Sequence, residues 1–174
     1  MKLISVFALG VLAASAAVAA EGPTDAQIAA IVVAANQVDI DAGQLAATKA
    51  HAKDVKDFAN RMVVDHTGVN KSAVELVTRL KVTPQDNPTS QSLKSGGEAN
   101  VSTLKTLTGA GFDRAYVDHE VAYHEQVLDA VDKVLIPNAH NAELKALLVK
   151  VRPAFVDHLA HAKQIQATLA NKGG

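Results

Sequence analysis

Asp39, Asp65, His66, Glu120, His124 and His158 are the residues of this chain whose types could do chemistry, because each falls within an apolar helical stripe. Around R-M-V-V-D-H-T (61–67) the stripe is Val55, Phe58, Met62, Val69, Ala73, Leu76 and Leu80. At about 100° per residue, Asp65 lies about 60° to one side of Met62 and His66 about 40° to the other. Asp39 sits about 40° from Ala35 on its own stripe, Glu120 and His124 share one face at i and i+4, and His158 centres a fourth stripe. An unpaired buried charge is costly, so inward carboxylates and imidazoles need either a divalent metal ion or one another. Imidazole ligands suit Zn, Cu or Ni.

The spacing argues for the second answer. Di-iron sites in helical bundles use a Glu from each of two helices plus Glu-x-x-His from each of the other two. None of the seven histidines here has an acid three residues before it. Asp65 and His66 diverge by about 100° and cannot share one ion from a straight helix. Helix rise, counted from the turn near Pro137, sets His158 nearer the level of His119 or Glu120 than of His124. His158-x-x-His161 puts two imidazoles one turn apart and lacks a third ligand. The expected arrangement is a buried polar network without a cofactor, in which Asp65 or Asp39 accepts from a histidine of a neighbouring helix and Tyr116 or Tyr123 closes the set. The alternative is a divalent metal held by some of Asp39, Asp65, His66, Glu120, His124 and His158.

Four amphipathic helices must position these residues. Thr24-Asp25-Ala26-Gln27 resembles a capping box opening a helix over 25–50, with Ile28, Ile31, Val32, Ala35, Val38, Ala42, Leu45 and Ala46 on one face. Gly43 inside that stripe implies close approach by a neighbouring helix. A short turn near 50–53 returns a second helix over 54–81 antiparallel to the first. Residues 83–92 read as a solvated connection, 93–107 as a short extra helix weakened by Ser95-Gly96-Gly97, and 108–111 as a loop. A third long helix over 112–136 has an unusually wide apolar arc and ends at Pro137. Asn138 or Asn141 caps the fourth, over 141–170, which Pro153 should kink. The fold class expected is all-α.

Composition bounds the rest. The chain has 174 residues, formal net charge −1 and no cysteine. Neither a basic footprint for nucleic acid nor a disulfide framework is present. Lys2, the apolar run 3–18 and the small-x-small Ala17-Val18-Ala19 form a secretory leader over 1–20, cleaved after Ala19 or Ala20. Residues 21–174 then make one domain with no transmembrane segment, periplasmic or secreted. There is no nucleophile elbow and no phosphate-binding glycine loop.

Four stretches carry a resemblance: V-K-D-F-A-N-R-M-V-V-D-H-T (55–67), G-Q-L-A (43–46), F-D-R-A-Y (112–116) and H-L-x-x-A (158–162). Together they are similar to an exported bacterial family known only as a domain of unknown function, number four-one-four-two. The resemblance implies a ferritin-like four-helix bundle with a short extra helix in the second crossover, and an envelope location. It brings no established reaction. The family's patterned histidines correspond to His66, His124 and His158, and its Glu-x-Glu before G-x-L-A to Asp39 and Asp41; the position of Glu120 is more often apolar or amide in relatives. The reading reached is a non-enzymatic exported protein with a structural, stress-related or partner-binding role. One rival is a metal-binding or redox protein. The other is a protein that docks a partner helix or a membrane surface through the wide arc of 112–136, and the oligomeric state stays open.

Overall fold

Thr24 starts the first helix with the reciprocal bonds its sequence predicts: its N–H donates to Gln27 Oε1 at 3.0 Å, and the Gln27 N–H donates to Thr24 Oγ1 at 3.3 Å. The structure, a computed structural model, describes residues 22–172. Among them the chain is all-helical, without strands: α1 (Asp25–Lys49), α2 (Lys53–Arg79), α3 (Pro88–Thr106), α4 (Gly109–Ala130), a π-helical turn (Val131–Leu135), the single turn α5 (Ile136–Asn138) and α6 (Ala142–Lys172). The leader expected over 1–20 lies outside the described residues.

Two connections depart from expectation for local reasons. The third helix is not a short piece over 93–107; it begins at Pro88, because Asn87 and Ser90 form a capping box and proline suits the first helical turn. Gly97 does not weaken it. A Cβ there would lie 2.7 Å from Val38 Cγ2, so the glycine is what lets α3 lie against α1. The loop expected over 108–111 shrinks to Leu107 and Thr108, and Gly109, at φ +56°, opens α4. Near Pro137 the chain stays helical: the Ile136 N–H reaches back five residues to the Val131 carbonyl, and Pro137 then sits in the first turn of α5, where its missing N–H costs little. α6 runs through Pro153.

Aspartates tie the ends together. Asp113 of α4 accepts the backbone N–H groups of His51 (2.8 Å) and Ala52 (2.7 Å) at the start of α2, where alanine has no side chain to cap with. At the opposite end, Asp25 of α1 accepts from His140 and Asn141, and Asn141 in turn caps α6. Gly43 meets its expected close neighbour: a Cβ there would stand 3.0 Å from the Ala59 carbonyl oxygen.

α1 packs on α2, α3 and α4, and α6 closes against α4 and α2. Two apolar clusters fill the interior. One gathers Ala42, Ala46, Phe58, Met62, Tyr116, Val117, Ala162 and Ile165; the other Ile28, Ile31, Ala73, Leu76, Val131, Leu144 and Leu148. On each of α1, α2, α4 and α6 the stretch between the two clusters carries the inward polar residues. Much of the wide arc of α4 is covered by the chain's own helices, with Phe112, Tyr116, Val117, Val121 and Tyr123 all buried. Among the described residues no helix is long and apolar enough to cross a membrane.

Candidate metal centre

The polar layer contains Asn36 and Asp39 from α1, His66 from α2, Glu120 and His124 from α4, and His158 from α6, all buried. Its centre is a triangle of imidazoles. Ring centroids are 5.6 Å apart for His66–His124, 5.2 Å for His66–His158 and 5.5 Å for His124–His158. Phe155 stacks on His66 at 5.3 Å and forms an apolar wall beside the trio.

Each imidazole is oriented by a bond on its outer side. His66 Nδ1 lies 2.8 Å from Asn36 Oδ1, and the Asn36 amide nitrogen donates to the Val32 carbonyl, so its oxygen must accept. His124 Nδ1 lies 3.0 Å from the Glu120 carbonyl oxygen. His158 Nε2 lies 2.8 Å from Asp65 Oδ2. All three partners are acceptors. They place a proton on His66 Nδ1, His124 Nδ1 and His158 Nε2, and leave lone pairs on His66 Nε2, His124 Nε2 and His158 Nδ1. Those three nitrogens are buried and make no hydrogen bond among the described residues. One ligand nitrogen from each ring lies within 4.8 Å of the other two.

The charge state follows from the surroundings. Burial pushes His66 down to about 2, with His124 and His158 adding repulsion. Burial lowers His124 to about 4, again helped by His158, and burial also lowers His158, with Asp65 pulling the other way. The imidazoles are therefore neutral at ordinary pH, the form that ligates a metal.

A second group adjoins the first. Asp39, Glu120 and His124 also bring ligand atoms within 4.8 Å of one another. Asp39 Oδ2 is 3.4 Å from His66 Nδ1, and Glu120 Oε2 is 3.5 Å from His124 Nδ1. Burial raises both carboxyls. Glu120 is pushed up to about 8, and Asp39 is also raised by the nearby Glu120.

Of the six residues singled out from sequence, five meet in this layer. Asp65 does not. Its side chain is 36% exposed, pairs with Arg61 at 3.2 Å and touches the layer only through the outer nitrogen of His158. Asp65 and His66 thus serve two different neighbours, as their divergence on the helix requires. The level difference expected from helix rise does not keep His158 from His124, and their rings are neighbours with centroids 5.5 Å apart. Of the tyrosines, Tyr123 donates its hydroxyl to the Ala35 carbonyl, and the buried Tyr116 hydroxyl faces Glu120. His161 packs edge-on against Phe58, away from the trio. Sequence reasoning missed Asn36, whose signal was an amide inside the stripe of Val32, Ala35 and Val38.

A sequence profile of the family described as Domain of unknown function (DUF4142) matches residues 11–165. The chain belongs to this family. No curated protein matches the chain, and no solved structure does.

Proposed function

Starting from a family without an assigned activity, we propose that this chain is an exported metal-binding protein, a ferritin-like four-helix bundle in which His66, His124 and His158 hold one late first-row divalent ion. The observation that carries this reading is the trio of inward lone pairs. A network that existed only for packing would pair each buried acceptor with a donor. Here three buried acceptors, on rings packed against one another, have none among the described residues. Metal-bound histidines almost always donate their other N–H to a carboxylate, a carbonyl or water, and these rings donate to an amide oxygen, a backbone carbonyl and a carboxylate. The all-nitrogen donor set fits Zn²⁺, Cu²⁺ or Ni²⁺. Zinc holds imidazole nitrogens at about 2.0–2.1 Å, and one nitrogen from each ring already lies within 4.8 Å of the other two. Periplasmic or secreted location rests on the leader pattern over 1–20. The proposal assigns metal holding and no reaction.

The structural reading has its own support in the Asp65–His158 and Asn36–His66 bonds, and one experiment separates the two. Protein made without an affinity tag is loaded with Zn²⁺, desalted and analysed for metal. One equivalent per chain is expected, falling below about a tenth in His158→Ala, whose folding is checked by circular dichroism. Folded wild-type protein that retains no Zn²⁺, Cu²⁺ or Ni²⁺ overturns the proposal.

A further inference from the structure

We propose a second cation position beside the first, formed by Asp39, Glu120 and His124 and suited to a harder divalent ion such as Mn²⁺. It deepens the metal-binding reading above, sharing His124 with the histidine trio. Geometry carries it. Glu120 is fully buried, and its carboxyl faces the Asp39 carboxyl and the Tyr116 hydroxyl with no basic donor beside it; Asp39 Oδ1 has no fixed donor among the described residues. These two carboxyls come from α1 and α4 and bring ligand atoms within 4.8 Å of one another and of a nitrogen of His124. Two carboxyls buried this close cannot both ionise without a counter-charge, and a divalent cation would supply one in place of the proton they hold. Among the described residues no lysine or arginine is buried, so no basic side chain of the described core supplies a counter-charge.

The two positions differ in chemistry. The trio offers three nitrogens, whereas this group offers carboxylate oxygens from two residues and a single nitrogen. Carboxylate oxygen suits Mn²⁺ or Mg²⁺ better than the softer late metals. The shared histidine faces both sides: Nε2 carries the lone pair assigned to the trio, and Nδ1 stands 3.5 Å from Glu120 Oε2. For Nδ1 to serve the second position it would have to release to solvent the proton it now donates to the Glu120 carbonyl.

Full-length mature protein, first loaded with Zn²⁺, is titrated with Mn²⁺ while free Mn²⁺ is followed by electron paramagnetic resonance. The expected result is one Mn²⁺ per chain, with Glu120→Gln and Asp39→Asn each weakening Mn²⁺ at least tenfold and keeping one Zn²⁺. Pulsed resonance on the wild type should show coupling to one histidine nitrogen, lost on ¹⁵N-histidine labelling and replaced by the ¹⁵N pattern, a readout that needs no variant. Zn²⁺ bound with no Mn²⁺, or Mn²⁺ bound without histidine coupling, overturns the second position and leaves the first intact. Mn²⁺ bound with that coupling and no Zn²⁺ supports the second position and overturns the first.

Discussion

Asp65→Ala tests whether the histidine trio is held for a metal, because Asp65 touches the layer at one point only. Its Oδ2 accepts the His158 Nε2 proton at 2.8 Å and so aims His158 Nδ1 at the other two rings. A hydrogen bond to a charged group contributes about 1.5–3 kcal/mol. Asp65 is 36% exposed and shares the same oxygen with Arg61, which places this one at the low end, about 1.4 kcal/mol or tenfold in a binding constant. Loss of outer-sphere partners in metal sites generally weakens binding by about 10–100-fold. Zn²⁺ affinity in Asp65→Ala, measured by competition against a chromophoric chelator, should fall at least tenfold with stoichiometry still one. Water can replace the lost carboxylate at this partly exposed edge, so urea unfolding of metal-free protein should change by less than about 1 kcal/mol. Wild-type Zn²⁺ affinity in the variant, or an affinity loss no larger than the change in unfolding free energy, would refute the reasoning.

Asp113→Ala strips the acceptor from two backbone N–H groups at the start of α2 and should lower stability by about 2 kcal/mol, read as a fall of about 4–8 °C in Tm, without altering metal content. Gly43→Ala gains about 1 kcal/mol of helix propensity, but its Cβ would meet the Ala59 backbone oxygen at 3.0 Å, and overpacking of about 1–3 kcal/mol should leave it net destabilised in urea titrations. The pH dependence of metal-free protein should have two limbs. His66, lowered to about 2, and His124, lowered to about 4, bind protons in the unfolded chain before the native one, so stability is lost as pH falls below about 6.5. Glu120, raised to about 8, is protonated when native and ionised when unfolded, so stability also declines as pH rises towards 8. Glu120→Gln should remove about 2 kcal/mol of the decline between pH 6.5 and 8, and an unchanged alkaline limb in chemical denaturation would contradict this.

Most of the helical frame was legible because its signals are local. Thr24 and Gln27 cap α1, Asn141 caps α6, and Gly43 sits under Ala59, each readable from a few neighbouring residues. α3 was harder. Its start depends on Asn87, and Gly97 looks like a breaker until Val38 of another helix is placed beside it. The polar layer was legible in membership and not in convergence. Counting helix rise follows Cα atoms, and side chains tilt toward the N-terminus of their own helix. On antiparallel neighbours that tilt moves His124 away from the α5–α6 turn and His158 toward it, so rings at different Cα levels meet.

The position of this layer gives the strongest argument about what it is for. It lies between two apolar clusters, where leucine or valine would pack without any demand for partners. Buried polar groups of this kind are tolerated when every member is satisfied, and a half-satisfied set is worse than an apolar core. Here the outer bonds are made and the inner ones are not. His66, His124 and His158 each have one nitrogen tied down, while their three free nitrogens are buried without donors among the described residues, beside the two carboxyls of Asp39 and Glu120. Unsatisfied atoms scattered at random would mark poor packing. The ones gathered beside rings whose other nitrogens are all bonded mark, on the proposed reading, a place prepared for cations, because a cation satisfies several acceptors at once where a single side-chain donor satisfies one. On the proposed reading, stability withheld from the metal-free core is returned on binding, and Zn²⁺ should raise Tm in the wild type and leave His158→Ala unmoved.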